Sequence, residues 1–207
     1  MKTCLIISGG EKSKLNIDVN NYFVVACDKG YAYAKSENIT PNLIIGDFDS
    51  YCDELPDDIE ILTLPHEKDD TDTMYAVKEA IKRGYDSIEI RCALGGRPDH
   101  EYANYQTIAY CISQGCACKI ISDKCDIYGI KDSTMDITMQ KGQLFSVFAI
   151  SDECLGVSIK GSHYEVENVC INNTFPLGQS NYAEENVVNI SVKSGLLLIM
   201  VINEREF

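Results

Sequence analysis

The 207 residues are 45% hydrophobic with a formal net charge of −14. That is apolar material enough for a packed core, and too much negative charge for a surface that holds nucleic acid or an anionic membrane, because phosphates are gripped by clustered Lys and Arg. The longest apolar run, Leu196 to Ile202, falls far short of the ~18 to 20 residues of a membrane span, and Leu5-Ile6-Ile7 is too short for a secretory signal, so the sequence reads as cytoplasmic.

In chain order, short apolar runs first alternate with helical patterns, as in a mostly parallel sheet covered by helices. Strands are expected at Cys4–Ser8, Tyr22–Cys27, Leu43–Ile45, Ile59–Leu64, Ser87–Ala93 and Lys119–Ser122, with helices at Gly30–Glu37, Thr71–Arg83 and His100–Gln114. Met74, Ala76, Val77, Ala80 and Ile81 give the second helix its apolar stripe, and Gly84 gives its stop. Beyond about residue 125 the period becomes alternating and no helix is expected: Phe145, Val147 and Ala149 oppose Leu144, Ser146 and Phe148, and Val188, Ile190 and Val192 alternate with polar residues. Lys193-Ser194-Gly195-Leu196 reads as a hairpin turn between the last two strands. The expected architecture is an α/β domain over 1–125 and an all-β sandwich of jelly-roll type over 126–207.

Ten cysteines are scattered through apolar runs. With no CxxC pair and no ligand spacing among the three histidines, they read as reduced core residues; support for a zinc site is weak.

The acidic charge is local. Residues 47–72 contain eleven acids against one base, Lys68, whereas the rest of the first 125 residues hold ten acids and twelve bases. A solvated loop is one explanation; a seat for hard cations, which carboxylate oxygens prefer, is the other.

Four motifs follow apolar strands. In Ile44-Ile45-Gly46-Asp47-Phe48-Asp49-Ser50, the two carboxylates two apart on extended chain point the same way and can share Mg²⁺. Glu67-Lys68-Asp69-Asp70-Thr71-Asp72 puts four acids in six residues; a helix cap explains one or two, and a metal role suits at least one more. Leu94-Gly95-Gly96-Arg97-Pro98-Asp99-His100 offers glycine amides and a guanidinium to phosphate, with Asp99 either capping the next helix or facing an acceptor. His100 is read as structural rather than as a base. Ala26-Cys27-Asp28-Lys29-Gly30 offers Asp28 to a metal or a nucleotide hydroxyl and Lys29 to phosphate, and Gly9-Gly10 ends the first strand.

ACDKG, IIGDFDS, EKDDTD and LGGRPDH, in this order and spacing, resemble the thiamine pyrophosphokinase family, and the likeness continues through Gly156–Gly161, Tyr164, Asn168, Ser180-Asn181 and VKSGLLL, spanning nearly the whole chain. The resemblance implies transfer of pyrophosphate from ATP to thiamine, giving thiamine diphosphate and AMP, in a homodimer whose sites are shared between one subunit's α/β domain and the other's β domain. It implies that Asp47, Asp49 and Asp72 hold Mg²⁺ with Asp28 nearby. Asp69, Thr71 and Arg97 would contact ATP or the transferring group, and Ser180 and Asn181 thiamine from the partner subunit. Asp69 or Asp99 is the candidate proton acceptor. The chain departs from many relatives at Lys29-Gly30, where they have paired glycines, and at Tyr182, where they often have an acid; Tyr182 could stack on the acceptor ring. The alternatives are a pterin pyrophosphokinase, a haloacid-dehalogenase-type phosphatase, whose DxD sits on its first core strand, and a non-catalytic nucleotide-binding regulator.

Overall fold

The computed structural model describes residues 2–47, 56–65, 67 and 69–203. The chain divides into two compact units, Met1–Ser122 and Asp123–Phe207. Among the described residues, no helix is long and apolar enough to cross a membrane.

In the first unit the apolar runs form six strands, β1 (Thr3–Ile7), β2 (Tyr22–Cys27), β3 (Leu43–Gly46), β4 (Glu60–Thr63), β5 (Ser87–Arg91) and β6 (Ala117–Ile120). All pair in parallel, in the order β6-β5-β1-β2-β3-β4. Leu5 and Ile7 are as fully buried as Cys4 and Ile6, so both faces of β1 are covered, which is why its pattern is continuous rather than alternating. The covering helices are α1 (Lys29–Ser36), α2 (Asp72–Lys82) and α3 (Pro98–Ser113). The chain winds outward from β1 to β4, then resumes at β5 on the other side of β1. Where winding reverses in this way, a crevice opens beyond the carboxyl ends of the strands.

The expected elements are present with shifted edges. Strand β5 stops at Arg91 rather than Ala93 because Cys92 takes a left-handed φ of 55°. Strand β6 starts at Ala117, two residues early, and α3 begins at Pro98, a residue whose fixed φ suits a first helical turn.

Among the described residues of the second unit the regular elements are all strands: β7 (Cys125–Lys131), β8 (Thr134–Thr138), β9 (Leu144–Ala149), β10 (Glu153–Lys160), β11 (Val166–Asn172), β12 (Gly178–Tyr182), β13 (Val187–Ser191) and β14 (Leu196–Ile202). They form two antiparallel layers, β12-β9-β14-β7 and β11-β10-β13-β8. Phe145, Val147 and Ile199 from one layer share a single core with Val157, Ile159 and Ile190 from the other. The expected hairpin between the last two strands is not formed. Strands β13 and β14 belong to different layers, and the 193–195 turn carries the chain across: the Lys193 and Ser194 amides donate to Leu155 O, and the Gly195 amide to Asp132 Oδ1 at 2.7 Å. A turn whose amides bond other strands cannot zip its own two together.

All nine described cysteines are free thiols, seven of them buried. Burial, reinforced by neighbouring thiols, pushes Cys4 and Cys116 up to about 12. Their raised values stabilise the fold fully below pH 9, the unfolded value, and that contribution disappears as pH climbs towards about 12. At pH 8 a small alkylating reagent should modify exposed Cys170 in the native protein and reach Cys4 and Cys116 only after denaturation, as peptide mass mapping would show.

Candidate active site

A cleft of about 750 Å³ opens at the carboxyl ends of β1, β2, β3 and β5, the place predicted by the reversal of winding. Strand β1 contributes Ser8, Gly9 and Gly10, β2 contributes Cys27 and Asp28, and β3 contributes Asp47. The start of α2 adds Thr71, Asp72 and Thr73, and the turn after β5 adds Ala93 and Gly95.

Asp28 stands on a sharp turn from β2 into α1. Its φ of 44° and ψ of −116° are rare for a residue with a side chain, a conformation that costs about 1–3 kcal/mol and concentrates at functional sites. Gly30 makes the turn possible: a Cβ there would lie 2.0 Å from the Ile7 carbonyl oxygen. Helix α1 thus starts in contact with β1, and Asp28 Oδ1 is shielded from solvent. Lys29 lines the same cleft, its ammonium 5.4 Å from the centre of the Tyr33 ring.

The acidic segment before α2 divides its labour. Thr71, not a carboxylate, is the N-cap, its hydroxyl accepting from the Met74 amide at 3.1 Å. Asp70 is bound by Lys78 Nζ through both oxygens at 2.7 and 2.8 Å. Asp72, in the first helical turn, lines the cleft, whereas exposed Asp69 is not among the lining residues.

The glycine turn differs from the expectation of open amides. The Gly95 N–H donates to Glu101 Oε2 at 2.9 Å. Arg97 is the N-cap of α3 without a side-chain cap, so Asp99 does not cap the helix; instead Arg97 holds Asp99 at 2.6 Å, which keeps that carboxyl below its usual range. Gly96, Arg97 and Asp99 are exposed and stand outside the cleft lining.

Asp28, Asp47 and Asp72 therefore share one cleft, while Asp49 lies outside the described residues, as does Lys68. Among the described residues, no three His, Cys, Asp or Glu side chains stand close enough together to hold a metal by themselves. The sequence reading missed Ser8, Thr73 and Asn104 as lining residues. Ser8 Oγ and Thr73 Oγ1 are 2.6 Å apart and buried; Thr73 adjoins the acidic motif and Asn104 is one helical turn past His100, which also lines the cleft. That spacing was the available signal.

In the second unit Ser180 is exposed with φ 60°, at an irregularity in the pairing of β12 with β9. Asn181 is buried, and its side chain is consumed internally. Its Oδ1 accepts from the Tyr164 and Tyr182 amides, and its Nδ2 donates to Ser162 Oγ and Tyr164 O. Tyr182 is the last residue of β12, with one face stacked on His163 at 4.5 Å.

Residues 16–120 match the family model described as "Thiamin pyrophosphokinase, catalytic domain", and residues 132–197 match "Thiamin pyrophosphokinase, vitamin B1 binding domain". The chain belongs to the thiamin pyrophosphokinase family. Among curated relatives of the family, it is 26% identical over 211 residues to the thiamine pyrophosphokinase of Bacillus subtilis strain 168, covering 97% of this chain and 98% of that one. The crystal structure of a Bacillus subtilis thiamine pyrophosphokinase superposes with a TM-score of 0.88 at 23% identity, covering 98% of this chain and all of the other. Thiamin pyrophosphokinase from Candida albicans superposes at 0.74 with 15% identity, covering 97% of this chain and 88% of that one. Position also separates the family from the phosphatase alternative, since the DxD here follows the third strand rather than the first.

Replacing Asn181 with Ala should cost about 2–4 kcal/mol of stability, because buried backbone groups lose their partners; the urea midpoint of the intact chain measures it. Gly30→Ala should cost at least about 2 kcal/mol by the same assay, its methyl having no space against a backbone carbonyl.

Proposed function

We propose that the strand-end cleft seats ATP and that the chain passes its terminal pyrophosphoryl group to the hydroxyl of thiamine, leaving AMP. Membership in the thiamin pyrophosphokinase family, matched in both its catalytic and vitamin B1 binding parts, makes the chain an ATP-dependent diphosphotransferase. The observation that carries the choice of site is the convergence of Asp28, Asp47 and Asp72, from three separate segments, on one cleft that Gly9 and Gly10 also line.

The donor set suits Mg²⁺. That ion is ordinarily held by one or two carboxylates together with substrate phosphates, so Asp47 and Asp72, with Asp28 lining the same cleft, meet its needs without a closed protein cage. When bound, it supplies neutralisation of the phosphoryl oxygens.

In the reaction, the thiamine hydroxyl oxygen forms a bond to the β-phosphorus while the bond from that phosphorus to the oxygen bridging the α-phosphorus breaks, and AMP leaves with the electron pair. The residues' task is alignment and charge. Lys29 meets phosphate from the β2–α1 turn, and Thr71 and Gly95 border the nucleotide. Arg97 reaches phosphate by exchanging Asp99 for it, an easy exchange because exposed ion pairs add little stability. A loose transition state needs no strong base, and the hydroxyl proton leaves late. Asp69 and Asp99, both exposed carboxylates, are the candidates to accept that proton.

Thiamine is contacted by Ser180, whose side chain stands exposed, while Asn181 shapes the edge from behind it. The protein acts as a homodimer in the cytoplasm, with one copy's first unit and the partner's second unit completing each site. Exposed Phe175 and Leu177, close to Ser180 in sequence, support an interface on the second unit, and the uncrosslinked thiols support a reducing compartment.

Incubated with Mg-ATP, the pure protein should form thiamine diphosphate and AMP with thiamine and no product with a hydroxymethylpterin, identified by mass spectrometry; ADP, or nucleotide breakdown indifferent to thiamine, would overturn the assignment. Asp47→Asn and Asp72→Asn should each lower kcat by on the order of 100-fold or more. Mixing an Asp47→Asn chain with a Ser180→Trp chain, each inactive alone, should restore part of the activity if sites are shared; no recovery after subunit exchange argues against sharing.

A further inference from the structure

The turn from Ala93 to Gly95 is tied at each residue. Ala93 O accepts from Asn104 Nδ2 at 2.7 Å, Leu94 O accepts from the Glu11 amide at 3.0 Å, and the Gly95 amide donates to Glu101 Oε2 at 2.9 Å. The other oxygen of Glu101 accepts from the Tyr105 hydroxyl. Glu101 and Tyr105 are four apart on α3 and so share a face. One carboxylate oxygen faces the turn and the other faces the helix, so the side chain cannot rotate without breaking two bonds. On its opposite side the turn is packed against Glu11: a Cβ at Gly95, whose φ is 76°, would lie 2.4 Å from Glu11 Oε2.

This arrangement is unexpected for a wall of a triphosphate site. Glycine amides there would ordinarily be offered to phosphate, yet one is already engaged, and by an anion. The carboxylate is tolerated because it sits in the first turn of α3, where the helix favours negative charge, and because both oxygens accept hydrogen bonds. What it contributes is a fixed direction for the Gly95 amide in a turn that contains two consecutive glycines.

We propose that Glu101, backed by Tyr105, is a positioning residue for the nucleotide, holding the Gly95 amide so that the glycine turn is set before ATP arrives. The proposal rests on the cleft being the ATP site. Without the clamp, the entropy of ordering that glycine falls on ATP binding, a loss of roughly tenfold in affinity.

The test uses the full chain and three variants, Glu101→Ala, Glu101→Gln and Tyr105→Phe. Hydrogen exchange of the Gly95 amide, read by NMR without ligand, should be on the order of tenfold faster or more in Glu101→Ala. The KM for ATP should rise about tenfold while the KM for thiamine and kcat stay within about twofold, a split that general destabilisation does not produce. Glu101→Gln retains a carbonyl acceptor and should restore both readouts most of the way, and Tyr105→Phe should fall between. An unchanged ATP KM in Glu101→Ala, parallel losses for both substrates, or failure of Gln to rescue would each refute the clamp. If the wild-type chain releases no thiamine-dependent AMP, the functional reading falls separately, and Mg-ATP affinity by calorimetry on the same variants still decides the clamp.

Discussion

Helix α1 can leave β2 only by passing against β1, and the contact of Gly30 with the Ile7 carbonyl is the constraint on which the site depends. Because nothing larger fits, the chain must reverse within one or two residues, and the residue at the bend takes a backbone conformation normally avoided by side chains. That residue is Asp28. The strain is sustained by the burial on either side of it: Val24 to Cys27 enter a fully covered sheet, and Tyr31 and Ala34 pack beneath the helix. A carboxylate is thereby held at the mouth of the crevice without a flexible loop to carry it.

Parallel pairing then does the gathering. Six strands running the same way end on the same side, so segments far apart in sequence deliver their next residues to one place: Ser8 to Gly10, Asp28, Asp47 and Gly95 all arrive by this rule, and α2 brings Asp72 by starting there. The electrostatic consequence is a concentration of negative charge that a cation bearing a triphosphate would relieve. Asp70 shows the same pressure resolved internally, by Lys78.

Most of this was legible in sequence because two kinds of signal are local. The continuous apolar runs of β1 and β3 and the alternating run of β9 report directly how many faces of a sheet are buried, and the acidic and glycine motifs directly follow strands. What was not legible depended on partners far along the chain. The 193–195 turn has the composition of a hairpin, but its amides are claimed by Leu155 and Asp132. Asn181 has the look of an exposed ligand residue, yet it is the buried hub of the 162–164 turn. Thr71 rather than a carboxylate caps α2, and Asp99 does not cap α3, because capping is decided by which residue leaves helical geometry first, a point that Pro98 moves upstream to Arg97. Glu101 is an ordinary helix-start acid in sequence; its engagement with Gly95 exists only once the turn has folded back over α3.

Strand β14 lies between β9 and β7 in the interior of its layer, although it is the last of the eight in sequence. During synthesis, β7 and β9 emerge from the ribosome with their central partner still missing, and neither layer's shared core can close until residues 196–202 are free. The six parallel strands of the first unit have all been synthesised once Ile120 is in place. The strands of the first unit are thus all available while the second unit still waits for β14 to join β9 and β7.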